Sequence, residues 1–367
     1  MHSTDVFVIG GGPAGLAAAI AARQQGFRVV VADGARPPID KACGEALMPD
    51  AISALEKLGV ALPGSEHCAL RGVRFLSSGF SAEAVFPMNR GLSVRRTDLH
   101  RIMMEHAAAM GVDLLWQSVV TGISGEGVRV GNQDIRASWI IGADGANSRV
   151  RRWANLDAQS RTKLRYAFRR HFRVAPWTDY MEVYWGKRSQ AYSLALSPEQ
   201  VCVAVASTDP ELRLEESLPE FPELNARVRG AEATSAERGA LSANRKLKRV
   251  WRRNVALIGD ASGTVDAVTG EGLGLAFSQA TALANCLGAG SLSGYQAAHR
   301  RLAFRPSLMA RLMLTLDARP KLQQRTLQVF RRRPEIFRRL LALHVGALSP
   351  VRLAMDGLTL GWGLLTA

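Results

Sequence analysis

Apolar and polar positions fall into three regimes along the 367-residue chain. In the first, short apolar runs stop at glycine. Asp5-Val-Phe-Val-Ile9 has the length of a buried strand, Leu16 to Gln25 is an alanine-rich helix, and Phe27-Arg-Val-Val-Val-Ala32 is a second strand ending at Asp33. Ala137 to Gly142 is a further apolar strand that enters a turn with Asp144 and Gly145, and Val255 to Ile258 ends the same way at Gly259-Asp260. Gly270-Glu-Gly-Leu-Gly-Leu275 then opens a helix through about Cys286. In the second regime, period-two alternation predicts strands at Leu70–Leu76, Ala84–Pro87, Arg165–Arg173, Tyr180–Trp185, Gln190–Leu196 and Gln200–Ala206. In the third, beyond residue 300, apolar residues recur at helical spacing: Leu308, Met309, Leu312, Met313 and Leu316, then Ile336, Phe337, Leu340 and Leu341.

Charge changes the picture only in the last regime. The chain carries 47 Lys+Arg against 32 Asp+Glu, a net +15, and residues 300–352 hold 13 Lys/Arg with two acids, Asp317 and Glu335, which is +11 of that total. Arg331, Arg332, Arg333, Arg338 and Arg339 crowd the polar face there. The plain expectation is a pair of helices packed on the body with a solvated basic face. The sharper one is peripheral contact with an anionic membrane surface. Neither a recognition-helix pattern nor an aromatic-rich RNA signature accompanies the charge, so nucleic acid is not an expected partner. Four scattered cysteines, Cys43, Cys68, Cys202 and Cys286, exclude a disulfide scaffold and predict no metal site. Cys68, Cys202 and Cys286 are expected in the core. With no signal-peptide pattern and no apolar stretch of spanning length, a cytoplasmic location is expected.

The first glycine cluster carries the sharpest chemistry. Gly10-Gly-Gly-Pro-Ala-Gly15 lies between a strand and a helix, so Gly10 makes the tight turn, Gly12 admits a pyrophosphate and Gly15 lets helix and strand pack closely. Pro13 and Ala14 start the helix, whose free amides and dipole attract phosphate. Asp33 stands where a carboxylate accepts hydrogen bonds from ribose hydroxyls. A dinucleotide is the expected ligand, and this motif alone does not choose between FAD and NAD.

Taken with the Arg96-Thr-Asp-Leu-His segment, Gly142-Ala-Asp-Gly145 with Ser148, and Gly259-Asp260, this cluster resembles the FAD-dependent oxidoreductases that include p-hydroxybenzoate hydroxylase and the geranylgeranyl reductases. Gly259 to Gly272 and Lys41-Ala-Cys-Gly-Glu-Ala-Leu-Met-Pro49 are similar to the reductase branch, although Ala267 replaces its usual proline. The resemblance, which covers about residues 3–300, implies an α/β fold: a discontinuous Rossmann-like FAD-binding domain (1–69, 93–160 and 250–300) and a β-rich substrate domain (70–92 and 161–249), to which the apolar spacing adds a C-terminal helical cap of basic amphipathic helices (301–367). It implies that FAD contacts Cys43, Gly44, Arg96, Val120, Asp144, Gly145, Gly259, Asp260, Gly270, Gly272 and Leu273 besides the first glycine cluster and Asp33. Asp260 binds the ribityl hydroxyls in such enzymes, and the amides at Gly270, Gly272 and Leu273 face the flavin N1/C2=O edge. No second GxGxxG occurs, so NAD(P)H is expected only as a transient reductant. No Trp-x-Trp-x-Ile-Pro motif supports halogenation.

Two reactions remain open. The first expectation is a monooxygenase that hydroxylates a lipophilic aromatic or polyketide-type substrate through a flavin C4a-hydroperoxide, with His171 and Tyr192 as catalytic candidates. The alternative is reduction of C=C bonds in a prenyl or other lipophilic substrate, with Cys43 as proton donor. Phe168, Tyr184 and Trp185 join His171 and Tyr192 as candidate pocket residues. A non-catalytic prenyl-binding escort-type protein is a minor alternative, since all three FAD motifs are kept.

Overall fold

In a computed structural model the described residues are 3–77, 79–87, 90–157 and 164–348. The part of the basic segment beyond 348, Arg352 included, lies outside them.

The glycine-terminated runs assemble as the parallel strands of one sheet, whose remaining strands, Val120–Ile123, Gly127–Val130 and Trp251–Arg252, pair antiparallel. Ser3–Ile9 is its central strand, flanked by Gln133–Gly142 and Val29–Asp33, with Val255–Leu257 beyond the first and Asp113–Trp116 beyond the second. In chain order this is 3-2-1-4-5, a doubly wound arrangement. Helices over Val6 and Val8, and the strands at 120–130 with the short helix Arg149–Trp153 over Phe7, leave all three with no exposure, which is why the strand reads as an unbroken apolar run. Helix Pro13–Gln24 packs against helix Gly272–Gly288 on one side and Arg96–Ala109 on the other. Alanine and glycine at these contacts allow the close approach.

A second sheet holds the alternating segments. Its order is Glu232–Ala233, Leu164–Arg173, Gln200–Ser207, Ser189–Ser197, Tyr180–Trp185, Gly72–Ser77, Phe80–Val85, with Arg238–Ala243 also on Leu164–Arg173. Both faces are covered. Met181, Val183 and Trp185 face the C-terminal helices, whereas Tyr184, Val203 and Val205 pack on Leu214, Phe221 and Leu224. Tyr180–Trp185 is therefore buried at every position.

The C-terminal segment forms three helices rather than two, Tyr295–Asp317, Pro320–Arg332 and Pro334–His344. Prolines at the first position of the last two fit helix starts, where the missing N–H has no partner to lose. Leu327, Phe330, Phe337, Leu340 and Leu341 are buried against the second sheet. No helix of the described residues is long and apolar enough to cross a membrane.

A dinucleotide cleft beside an apolar cavity

Glycine sterics draw the separate motifs together. Gly10 has φ +108°, and a β-carbon there would stand 2.4 Å from the Ala143 carbonyl oxygen. One on Gly15 would stand 1.8 Å from the Gly10 carbonyl oxygen, and one on Gly259 would stand 2.8 Å from the Ala14 methyl. The turns at 10–15, 143–145 and 259–260 are thus in contact across the ends of three neighbouring strands. Gly11, the variable position of the motif, is equally constrained, because Trp116 fills the space where its side chain would go.

Around these turns the donors and the space of a dinucleotide site are present. The helix starting at Pro13 is capped by extended Gly12 with no side-chain hydrogen bond at its N-terminus. The nearest atom to the Gly12 side-chain position is Arg96 Nη2 at 3.8 Å, and the buried Arg96 Nε has no partner among the described residues. Open space surrounds the side-chain positions of Gly44 and Gly272, and Lys41 Nζ is the nearest group to that of Gly145, at 3.8 Å. Asp260 is exposed to this space yet ringed by protein. Burial raises its carboxyl above the ordinary value, and Lys41 and Arg96 oppose the rise. An unpartnered guanidinium at a helix N-terminus and a free carboxylate across a cleft fit the phosphates and polyol of FAD.

Other predicted residues are already engaged. Asp33 accepts from the Gly11 and Ala35 amides at 2.7 and 2.8 Å. Asp144 accepts from the Ser148 hydroxyl at 2.5 Å and from the Arg149 amide at 2.6 Å, so its carboxylate caps the helix that follows. Val120 is buried at the start of strand Val120–Ile123. Gly270 sits at the left-handed end of a short turn, close to the Met48 side chain, with Leu273 half-buried one helical step on. His100, which pattern reading passed over, donates from Nε2 to the Gly11 carbonyl at 2.9 Å and braces the first turn from below.

Cys43 and His171 come together through Glu45. His171 Nε2 lies 2.7 Å from Glu45 Oε2, and Arg95 faces His171 Nδ1 at 3.4 Å. Since arginine only donates, the proton is on Nε2 and points at the carboxylate. The other Glu45 oxygen accepts from the Arg96 amide at 3.0 Å, and the Glu45 amide faces Cys43 Sγ at 3.4 Å. Glu45 holds a left-handed backbone, φ 59°. Both Glu45 and His171 are buried, and the Cys202 thiol joins them. These three groups have donor types that bind metals. Here hydrogen bonds already occupy the carboxylate, and burial and Glu45 push the Cys202 thiol well up, away from the thiolate a metal needs. Burial likewise raises Cys43, against Arg96. Cys68 and Cys286 are only half-buried, contrary to expectation.

Tyr192 stands apart from this cluster. Its hydroxyl donates to Gln190 Oε1 at 2.9 Å, in a group with Arg165, Asp266 and Asp317, and burial raises its phenol. Phe168 and Tyr184 pack on the far face of the second sheet, so neither serves the pocket expected of it.

Trp185, by contrast, lines a narrow apolar cavity of about 70 Å³ between the second sheet and the C-terminal helices. Trp185 stacks on Phe75 at 4.5 Å, Phe75 meets Phe337 at 5.3 Å, and Phe337 stacks on Phe330 at 4.7 Å, a continuous aromatic wall. Met48, Met309 and Met313 add adaptable surface. The polar lining is Thr269 and His344, directly before the Gly270 turn. Behind it, Glu271 Oε2 is 3.5 Å from His344 Nδ1 and Oε1 is 3.6 Å from Arg305, which also pairs with Asp50. Burial raises Glu271 to about 8 and lowers His344 to about 4. Residues 43–48 thus run from the thiol cluster to the cavity wall.

Known proteins agree with this architecture. Menaquinone reductase of Mycolicibacterium smegmatis is 27% identical over 85% of both chains. Digeranylgeranylglycerophospholipid reductase 1 of Methanothermobacter thermautotrophicus is 29% identical over 73% of both. Asperlicin C monooxygenase of Petromyces alliaceus is 32% identical over 41% of this chain and 36% of its own. A solved flavoprotein/dehydrogenase of Cytophaga hutchinsonii superposes with a TM-score of 0.81 at 18% identity, covering 94% of this chain and 93% of that one. The FAD binding domain family matches residues 3–302, and with it the chain belongs to that family, as an FAD-dependent oxidoreductase.

Proposed function

We propose that this protein reduces C=C bonds of a lipophilic substrate, with NAD(P)H as transient reductant, and collects that substrate at a membrane surface. One observation carries the choice of reaction: the half-buried Cys43 thiol stands next to the open space at Gly44 and accepts from the Glu45 amide, and the Glu45 carboxylate is fixed in turn by His171. In the cleft, Gly12, Arg96 and the Pro13 helix start would hold the pyrophosphate of FAD, and Asp260 would hold its polyol. Gly270, Gly272 and Leu273 would meet the flavin edge. Bound there, FAD supplies two-electron redox chemistry. The chain's own part is the proton. Burial keeps Cys43 a thiol, able to give its proton to the carbon opposite the incoming hydride, and the Glu45 amide, with its own carboxylate fixed by His171, holds the sulfur in place. The relatives that align over most of the chain are named reductases, which adds to this reading and moves it ahead of hydroxylation.

The aromatic wall of Trp185, Phe75, Phe337 and Phe330 favours a second reading, hydroxylation of a flat aromatic substrate. Anaerobic reduction by NADH or NADPH, followed by prenyl lipids, prenylated quinones or phenols with and without air, separates them by product mass. A gain of two hydrogens without air is expected. A gain of one oxygen only in air would replace this reading with hydroxylation, and neither product would overturn both.

A further inference from the structure

Among the described residues seven large apolar side chains are exposed, and three share one helix face: Phe304 at 59%, Leu308 at 42% and Leu312 at 36%. At about 100° per residue they fall within an arc of about 80° on helix Tyr295–Asp317. Arg301 lies inside that arc, and Arg300 and Arg311 lie just beside it, all three exposed. From residue 300 to 316 the chain has no acid. Leu312 has a second role, because it also lines the apolar cavity, with Met309 and Met313 behind it. The two helices that follow differ. Their apolar faces are consumed by the second sheet, so they offer cations but nothing to insert.

We infer that the Phe304–Leu308–Leu312 face docks on an anionic lipid leaflet, and that the cavity loads sideways from the membrane past Leu312. An apolar stripe edged by arginines, with the nearby Asp50 and Glu271 already paired to Arg305, matches the acyl boundary below and the phosphate layer around it. A protein partner gives no reason for a cavity wall at the stripe's end. This inference rests on the reading of the substrate as lipophilic, and names the surface from which it comes.

The test uses the full, FAD-loaded chain without substrate, and vesicles of phosphatidylglycerol with phosphatidylcholine or of phosphatidylcholine alone. Expected are sedimentation with the anionic vesicles, weakened by salt, and about a tenfold or greater loss of partitioning in Phe304→Ser/Leu308→Ser with an unchanged flavin spectrum. Arg331→Gln/Arg332→Gln/Arg333→Gln should remove only a salt-sensitive part. Failure of the parent chain to bind anionic vesicles, or undiminished binding by the double serine variant, overturns the docking face. So does a parent dimer that the same variant dissociates, which would make the face a contact between copies. Tryptophan quenching by 2-naphthol in vesicle-free buffer reads the cavity separately. Its absence would overturn the lipophilic reading and sideways loading while the vesicle result still judged the face.

Discussion

Gly15 shows how little tolerance the nucleotide turn has. A β-carbon there would sit 1.8 Å from the Gly10 carbonyl oxygen, and backbone cannot yield as a side chain can. Gly15→Ala should cost at least about 2 kcal/mol and lower flavin retention tenfold or more, read by flavin absorbance per protein and by chemical denaturation. Cys43 is a finer case. Its proton is held by burial against the pull of Arg96, so the thiol form persists above the ordinary value of 9.0. Activity that needs this proton should be flat through neutral pH and fall only on the alkaline side of that value. Cys43→Ser should lower kcat about a hundredfold and remove that alkaline limb, with FAD content unchanged. A limb left in place would assign the proton to another group.

At the scale of elements, Glu271 couples the helix it starts to the C-terminal helices through Arg305 and His344. Its folded value, about 8, lies above the ordinary 4.5, so between these values the native chain holds a proton that the unfolded chain releases. The associated stability is complete below about 4.5 and is lost as pH rises through about 8. His344, held down to about 4, acts oppositely, its share present above about 6.5 and lost as pH falls through about 4. Glu271→Gln should therefore flatten the alkaline decline of Tm by a few degrees between about pH 5 and about pH 8, as thermal unfolding would show. Glu271 lies inside the Gly259–Gly272 motif, but nothing in the pattern paired it with His344, since they stand 73 positions apart and meet only after the C-terminal helices fold back. The nucleotide turn was legible because its constraints are local: strand, three glycines, helix. Glu45 and His171, 126 residues apart, needed the second sheet to become neighbours. Helical spacing also left Leu308 and Met309 equivalent, and only packing decides that Met309 is buried and Leu308 exposed. Alternation failed at Tyr180–Trp185 for a related reason, as helices cover both faces of that strand.

Over the whole molecule, two of the four apolar clusters among the described residues divide the work. One lies under the parallel sheet and its helices, the other joins the second sheet to the C-terminal helices and encloses the cavity. Met48 and Val268 belong to the second cluster, yet they flank the glycine turns that face the cleft, so the seam between the two halves runs there and on through Glu45–His171 and Asp40–Arg169. Filling the cavity away from that seam should separate cofactor binding from turnover. Leu341 is 4% exposed and lines the cavity from the last helix, whereas the FAD motifs lie on the parallel sheet. Leu341→Trp adds bulk that the free volume can take, at an overpacking cost of about 1–3 kcal/mol. The variant should keep its flavin spectrum and its reduction by NAD(P)H, while turnover of a lipophilic substrate falls at least tenfold, mainly through KM where the substrate is small. Loss of flavin together with turnover would mean that the seam transmits the repacking and that the halves act as one body. Unchanged turnover would place the substrate outside this cavity.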